Sequence, residues 1–167
     1  GLFSRAILLA QKVDHHLKKF DGRIDLSNRV LFYFMIASSF LADRQNEQAL
    51  TYFSKLMNTA RAEEIQDLYI YARILSLIAH LELKNNRILD SQLLSVTRYL
   101  KSKKKLFKLE ALTLKLLGQL NKEEDDRKEA SYFSIYHENL ALILEDPLEK
   151  KALAYIKYKK WAESKLT

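Results

Sequence analysis

The sequence predicts an all-α protein of about eight helices, paired as antiparallel hairpins that stack side by side. Three observations predict it. Only three glycines and one proline occur in 167 residues. Both residue types punctuate structure, so long helices joined by short turns fit better than many strands. Apolar residues recur at three- and four-residue spacing along most of the chain. Short polar runs, such as 43–46 and 84–86, separate the periodic stretches, and turns of that length make consecutive helices antiparallel neighbours.

Taken in order, residues 3–20 read as a first helix, with Ile7, Leu8, Ala10, Gln11, Val13, Leu17 and Phe20 as its apolar stripe. Asp21-Gly22 ends it, the glycine suiting a left-handed helix end. Asp25 or Ser27 can cap a second helix reaching about Ala42, because a short oxygen-bearing side chain accepts an orphan amide. Asn46 is the expected cap of a third helix reaching about Ala60. A fourth, over 62–83, is apolar on more than one side and so central. A fifth spans 86–99, on the stripe Leu89, Leu93, Val96 and Leu100. A sixth spans 103–120, burying Leu106, Leu109, Leu112, Leu116 and Leu117. The polar, acidic run 121–126 is the expected boundary between a repeat-like region, 1–120, and a C-terminal helical hairpin, 121–167, packed on it in the same domain. A seventh helix covers 127–144. Asp146-Pro147-Leu148-Glu149 then starts an eighth reaching about Lys165, with Asp as cap, Pro in the first helical position and Glu reaching back.

Composition closes several routes. Hydrophobic residues make up 48% and charged residues 29%, a globular balance rather than a disordered one. The chain has no cysteine, which excludes disulfides, thiolate metal sites and cysteine nucleophiles. No apolar run approaches the eighteen or so residues that a membrane-spanning helix requires, and a cytoplasmic location is the expectation. Because the opening residues already read as mid-helix, the chain is expected to be a piece of a longer protein. The net charge is +7. It is concentrated in residues 85–167, which hold 17 basic against 12 acidic residues.

The most informative stretch is 33–56. Tyr33, Ile36, Ala37 and Phe40 lie on its first helix, and Ala49, Phe53 and Leu56 on its second. Small Ala37 and Ala49 let two backbones approach closely, and the aromatics fill the grooves beside them. This spacing resembles the tetratricopeptide repeat. Asp43 stands where that motif has a glycine in the turn, and Arg61 where it has a closing proline. A second hairpin, 62–100, keeps the length and apolar pattern without the consensus residues, and a third, 103–144, keeps less. The layout also looks like that of uncharacterised bacterial proteins ending in degenerate repeats of this kind. The resemblance implies a short α-α superhelix that binds a partner rather than catalysing a reaction.

No residue pattern specifies a reaction, and no catalytic residue, metal site or cofactor is expected. His15-His16 are adjacent, so they point about 100° apart on a helix and do not share a metal easily. His80, on the apolar fourth helix, reads as a buried histidine with a hydrogen-bond partner. Glu123, Glu124, Asp125 and Asp126 lack the ordered spacing of a calcium loop.

The expected function is therefore a protein-binding or scaffold module that holds a peptide or protein segment on a concave helical surface. Phe32, Met35 and Ser39 from the first hairpin, with Arg73, Ser76 and His80 from the next, are the candidates to line it. Arg73 stands out because a cation on an apolar helix needs a carboxylate partner. The alternative is a nucleic-acid-associated regulator. Arg98, Lys101, Lys103, Lys104, Lys105 and Lys108 form a basic run that can hold a phosphate backbone. On the last helix Tyr158 and Trp161 are candidates for an exposed aromatic patch, facing a partner or a second copy of the chain.

Overall fold

The computed structural model describes residues 23–59 and 61–154, together with the isolated positions Leu8, Lys12, Val13, His15, His16, Lys19, Trp161 and Lys165. The first expected helix thus lies almost wholly outside the described residues. Of its stripe, Leu8 is 60% exposed rather than buried. The chain is all-α, with no strand among the described residues. No described helix is long and apolar enough to cross a membrane. Two compact units form, 1–83 and 84–167. The acidic run 121–126 lies within the second.

In the first unit Asp25 opens α1 (Leu26–Ala42), its Oδ1 accepting the amide of Asn28 at 2.9 Å. That bond, with a second from the Asn28 side chain, holds the Asp25 carboxyl below its ordinary pKa. At the other end the Gln45 amide donates to the Phe40 carbonyl and the Arg44 amide to the Leu41 carbonyl. Arg44 itself sits at φ 60°. This is a Schellman ending built without glycine. It leads straight into α2 (Asn46–Met57), so Asn46 is the first helical residue and not the cap.

Ala37 and Ala49 are both fully buried. Around them the Phe34 ring meets Phe53 edge-on at 6.5 Å, and Phe40 stacks on Tyr52 at 5.5 Å. The expected fourth helix is interrupted. A 3₁₀ turn (Ala62–Glu64) precedes α3 (Gln66–Glu82). The break falls at Ile65 (φ −90°, ψ 62°), and ahead of it Arg61, at φ 62°, clips the turn, its guanidinium donating to both carboxylate oxygens of Glu64 at 2.6 and 2.9 Å. Helix α3 packs on α1 and α2 and buries residues all round, Leu68 and Tyr71 as well as Ile74, Leu77 and Ile78.

In the second unit α4 (Asn86–Ser102) runs past its expected end, and α5 (Lys108–Leu120) begins five residues late. Another left-handed residue is the reason. Lys104 sits at φ 54°, with the Lys105 amide donating to the Leu100 carbonyl at 2.9 Å and the Lys104 amide to Lys101 at 3.1 Å. Lys103 to Lys105 are therefore turn, not helix. Leu89 and Leu100 on α4, and Leu109 and Leu117 on α5, are fully buried. Leu106 and Leu112 are only half-buried.

Asp125 caps α6 (Asp126–Ile143), accepting the Arg127 amide at 2.9 Å. Helices α5 and α6 share a buried polar link, with Thr113 Oγ1 3.0 Å from the Tyr136 hydroxyl. Thr113 already gives its one hydroxyl hydrogen to the Leu109 carbonyl at 2.9 Å, so Tyr136 donates. Burial raises the Tyr136 pKa well above that of an ordinary tyrosine.

The expected last helix opens as α7 (Pro147–Lys150), followed by a 3₁₀ turn at 151–154, and its remainder to about Lys165 lies almost wholly outside the described residues. Asp146 caps it as expected, accepting the Leu148 amide at 2.9 Å. Glu149 does not reach back. Its two carboxylate oxygens accept the amides of Lys108 and Leu109, each at 3.0 Å, and it is almost wholly buried. The physical reason lies at the start of α5. Phe107 occupies the cap position and has no oxygen to offer, so the orphan amides of α5 take an acceptor from forty residues away.

Candidate functional site

An open groove of about 480 Å³ runs between α4 and α5. Its α4 wall is the stripe Asp90, Leu93, Leu94, Thr97 and Lys101. Its α5 wall is Ala111, Leu114, Lys115, Gly118 and then Lys122 just beyond the helix, and Leu106 closes the end at the turn. Both walls follow one helical face, at steps of three and four residues. At Gly118 an added Cβ would meet a Leu93 methyl of the facing wall at 3.9 Å, an ordinary contact.

The floor is apolar. Leu114 is buried, Leu93 and Leu106 are half-buried, and Leu94 is 53% exposed. The Thr97 hydroxyl is turned to its own helix, donating to the Leu93 carbonyl at 2.7 Å. The rim carries charge. Lys101, Lys115 and Lys122 are exposed. Asp90 accepts from the Asn121 side chain at 2.8 Å, and the same amide group donates to the Asn86 carbonyl at 3.1 Å. Asn121 thus ties the first turn of α4 to the end of α5 and fixes one end of the groove. Beyond it Glu123 orders the next turn. Burial opposes ionisation of Glu123, but the Asp125 amide, the Tyr132 hydroxyl and the Lys128 ammonium outweigh it and hold the carboxyl below its ordinary pKa.

Of the basic run expected from the sequence, Lys101 alone lines this groove. Lys103, Lys104 and Lys105 occupy the turn, with Lys103 5.8 Å from the Tyr99 ring centroid. Arg98, Lys103, Lys104 and Lys108 are exposed, and Lys105 is half-buried. Among the lining residues missed were Lys122 and Gly118. The signal for both was present, since a small residue in mid-helix between Lys115 and Lys122 at helical spacing marks a face that does not fill a core.

The other candidates are placed as follows. On α1, Met35 is 55% exposed and Phe32 is half-buried, while the Ser39 hydroxyl donates to the Met35 carbonyl at 2.8 Å. On α3, Ser76 is buried and donates to the Arg73 carbonyl at 2.7 Å. Arg73 is half-buried and lies 5.9 Å from the Tyr69 ring centroid. Burial lowers the His80 pKa. Trp161 is half-buried, its ring edge-on to Phe133 at 5.4 Å and to Tyr136 at 6.4 Å. Tyr158 lies outside the described residues. No protein-family model, curated protein or solved structure matches the chain.

Proposed function

We propose that this chain is a non-enzymatic protein-binding or scaffold module of the cytoplasm, its hairpins stacked in the manner of degenerate tetratricopeptide repeats. It takes a segment of a partner protein along the α4–α5 groove. The observation that supports the reading is the groove itself, an apolar floor between two helical walls with polar groups at its edge. That combination suits recognition of an apolar segment held in register by a few polar contacts. The α1 and α3 candidates support it less. Ser39 and Ser76 both direct their hydroxyl hydrogens into their own helices, which leaves them little to offer a ligand.

Selection of displayed random peptides against the whole chain tests the reading. Peptides enriched by the native protein and lost with Leu94→Asp support it. Failure to enrich any sequence, or enrichment indifferent to Leu94→Asp, overturns it. Exposed Arg98, Lys101, Lys103, Lys104 and Lys108 around one turn keep nucleic acid as the second reading. Salt-sensitive binding of a mixed-sequence oligonucleotide, abolished by changing Lys103, Lys104 and Lys105 to Glu, would establish that reading instead.

A further inference from the structure

The chemistry of the groove says more about its occupant. We infer that the segment taken along α4 and α5 is an acidic amphipathic helix of about three turns; this rests on the protein-binding reading and narrows it. Three observations carry the inference.

The first is length. From Asp90 to Lys101 the α4 wall spans eleven helical steps, roughly 16 Å at 1.5 Å per residue. The α5 wall spans nine helical steps from Ala111 to the helix end at Leu120, with Lys122 just beyond. A straight, helix-walled trough of that length matches three turns of a third helix. Laid beside two helices, a third meets ridges spaced for packing by its own three- and four-residue rows.

The second is the floor. Leu94 and Leu106 offer apolar surface, and Gly118 has no side chain to fill the space above Leu93. A helix presenting leucine-sized residues at three- and four-residue spacing buries that surface, whereas a polar strand would leave its backbone groups facing methyls.

The third is charge. Lys101 stands at one end of the trough, Lys115 midway and Lys122 at the other end. Asp90 is the opposing charge among the lining residues, and its carboxylate already accepts from Asn121. A ligand therefore meets cations along the whole length. Carboxylates flanking the apolar stripe of the incoming helix pair with them, and lysines there are repelled. A second copy of this chain fits badly, because the chain is itself basic at +7.

The test uses the whole chain and three synthetic peptides of about sixteen residues, long enough for measurable helicity. One carries leucines at helical spacing flanked by glutamates. One replaces the glutamates by lysines. The third scrambles the acidic peptide so that its composition survives but its stripe does not. Fluorescence anisotropy at low salt is expected to give binding of the acidic amphipathic peptide at least about tenfold tighter than either control, a ratio that three rim pairs can supply. Changing Lys101, Lys115 and Lys122 together to Gln is expected to remove that preference while circular dichroism stays native. Equal binding of the glutamate and lysine peptides overturns the inference and leaves the protein-binding reading standing. Equal binding of the scrambled peptide overturns it too, by showing attraction to any polyanion. A mixed-sequence oligonucleotide that displaces the acidic peptide at lower concentration overturns it in favour of nucleic acid. If no peptide binds and display selection also enriches nothing, the underlying reading falls as well.

Discussion

At the scale of single residues the informative carboxylate is Glu149. Both its oxygens accept backbone amides at the start of α5, in an almost fully buried setting. Hydrogen bonds to an ionised group are worth about 1.5–3 kcal/mol each way of counting. Glu149→Gln removes the charge and one acceptor, and a loss of about 2 kcal/mol is expected in urea unfolding. The exposed neighbour change Lys150→Gln is expected to leave the midpoint unmoved. Local sequence carried half of this. Asp146-Pro147 gave the helix start correctly, but nothing in four residues tells which helix end a glutamate reaches when its amide donors lie forty positions upstream. His80 offers a second test. Burial depresses its pKa below the usual 6.5, so the unfolded chain takes up the proton first. Stability is then fully present above that value and is lost as pH falls through it. Thermal melts between pH 7.5 and 5 are expected to show a decline that His80→Gln flattens.

At the scale of helices and turns, starts capped by an aspartate were readable, whereas those of α3 and α5, which lack such a cap, were not. Asp25, Asp125 and Asp146 act as caps because each sits where a short carboxylate meets a free amide. The ends close through Arg44, Lys84 and Lys104 in the left-handed region, where glycine is the usual marker. Without that marker, Lys103–Lys105 read as the start of a helix. A left-handed non-glycine residue costs roughly 1–2 kcal/mol, and glycine returns about 0.4–1 kcal/mol of that as unfolded-chain entropy. Arg44→Gly is therefore expected to stabilise the first hairpin by about 0.5–1 kcal/mol, seen as a higher urea midpoint. The groove was legible only in part for a related reason. A run of like charges draws the eye to Lys103–Lys105, whereas the walls are built from residues seven and eleven apart on two different helices.

At the scale of the whole molecule the all-α class followed from composition, and two fully enclosed positions of the first hairpin followed from its alanines. Ala37 and Ala49 are wholly enclosed, so a larger side chain has nowhere to go. Ala49→Leu is expected to cost about 1–3 kcal/mol through overpacking. Hydrogen exchange should locate the damage, with the largest increase in α1 to α3, the helices of the compact unit that holds both alanines. The division at Leu83 was not legible, since Lys84 to Asn86 looks like any other polar turn. One consequence of the Glu149 contact reaches experimental handling of the protein. A proteolytic nick or a shortened clone that discards everything after Asp146 strips the acceptor from Lys108 and Leu109. Damage at the tail is then felt at the mouth of the groove, where Leu106 precedes those two amides.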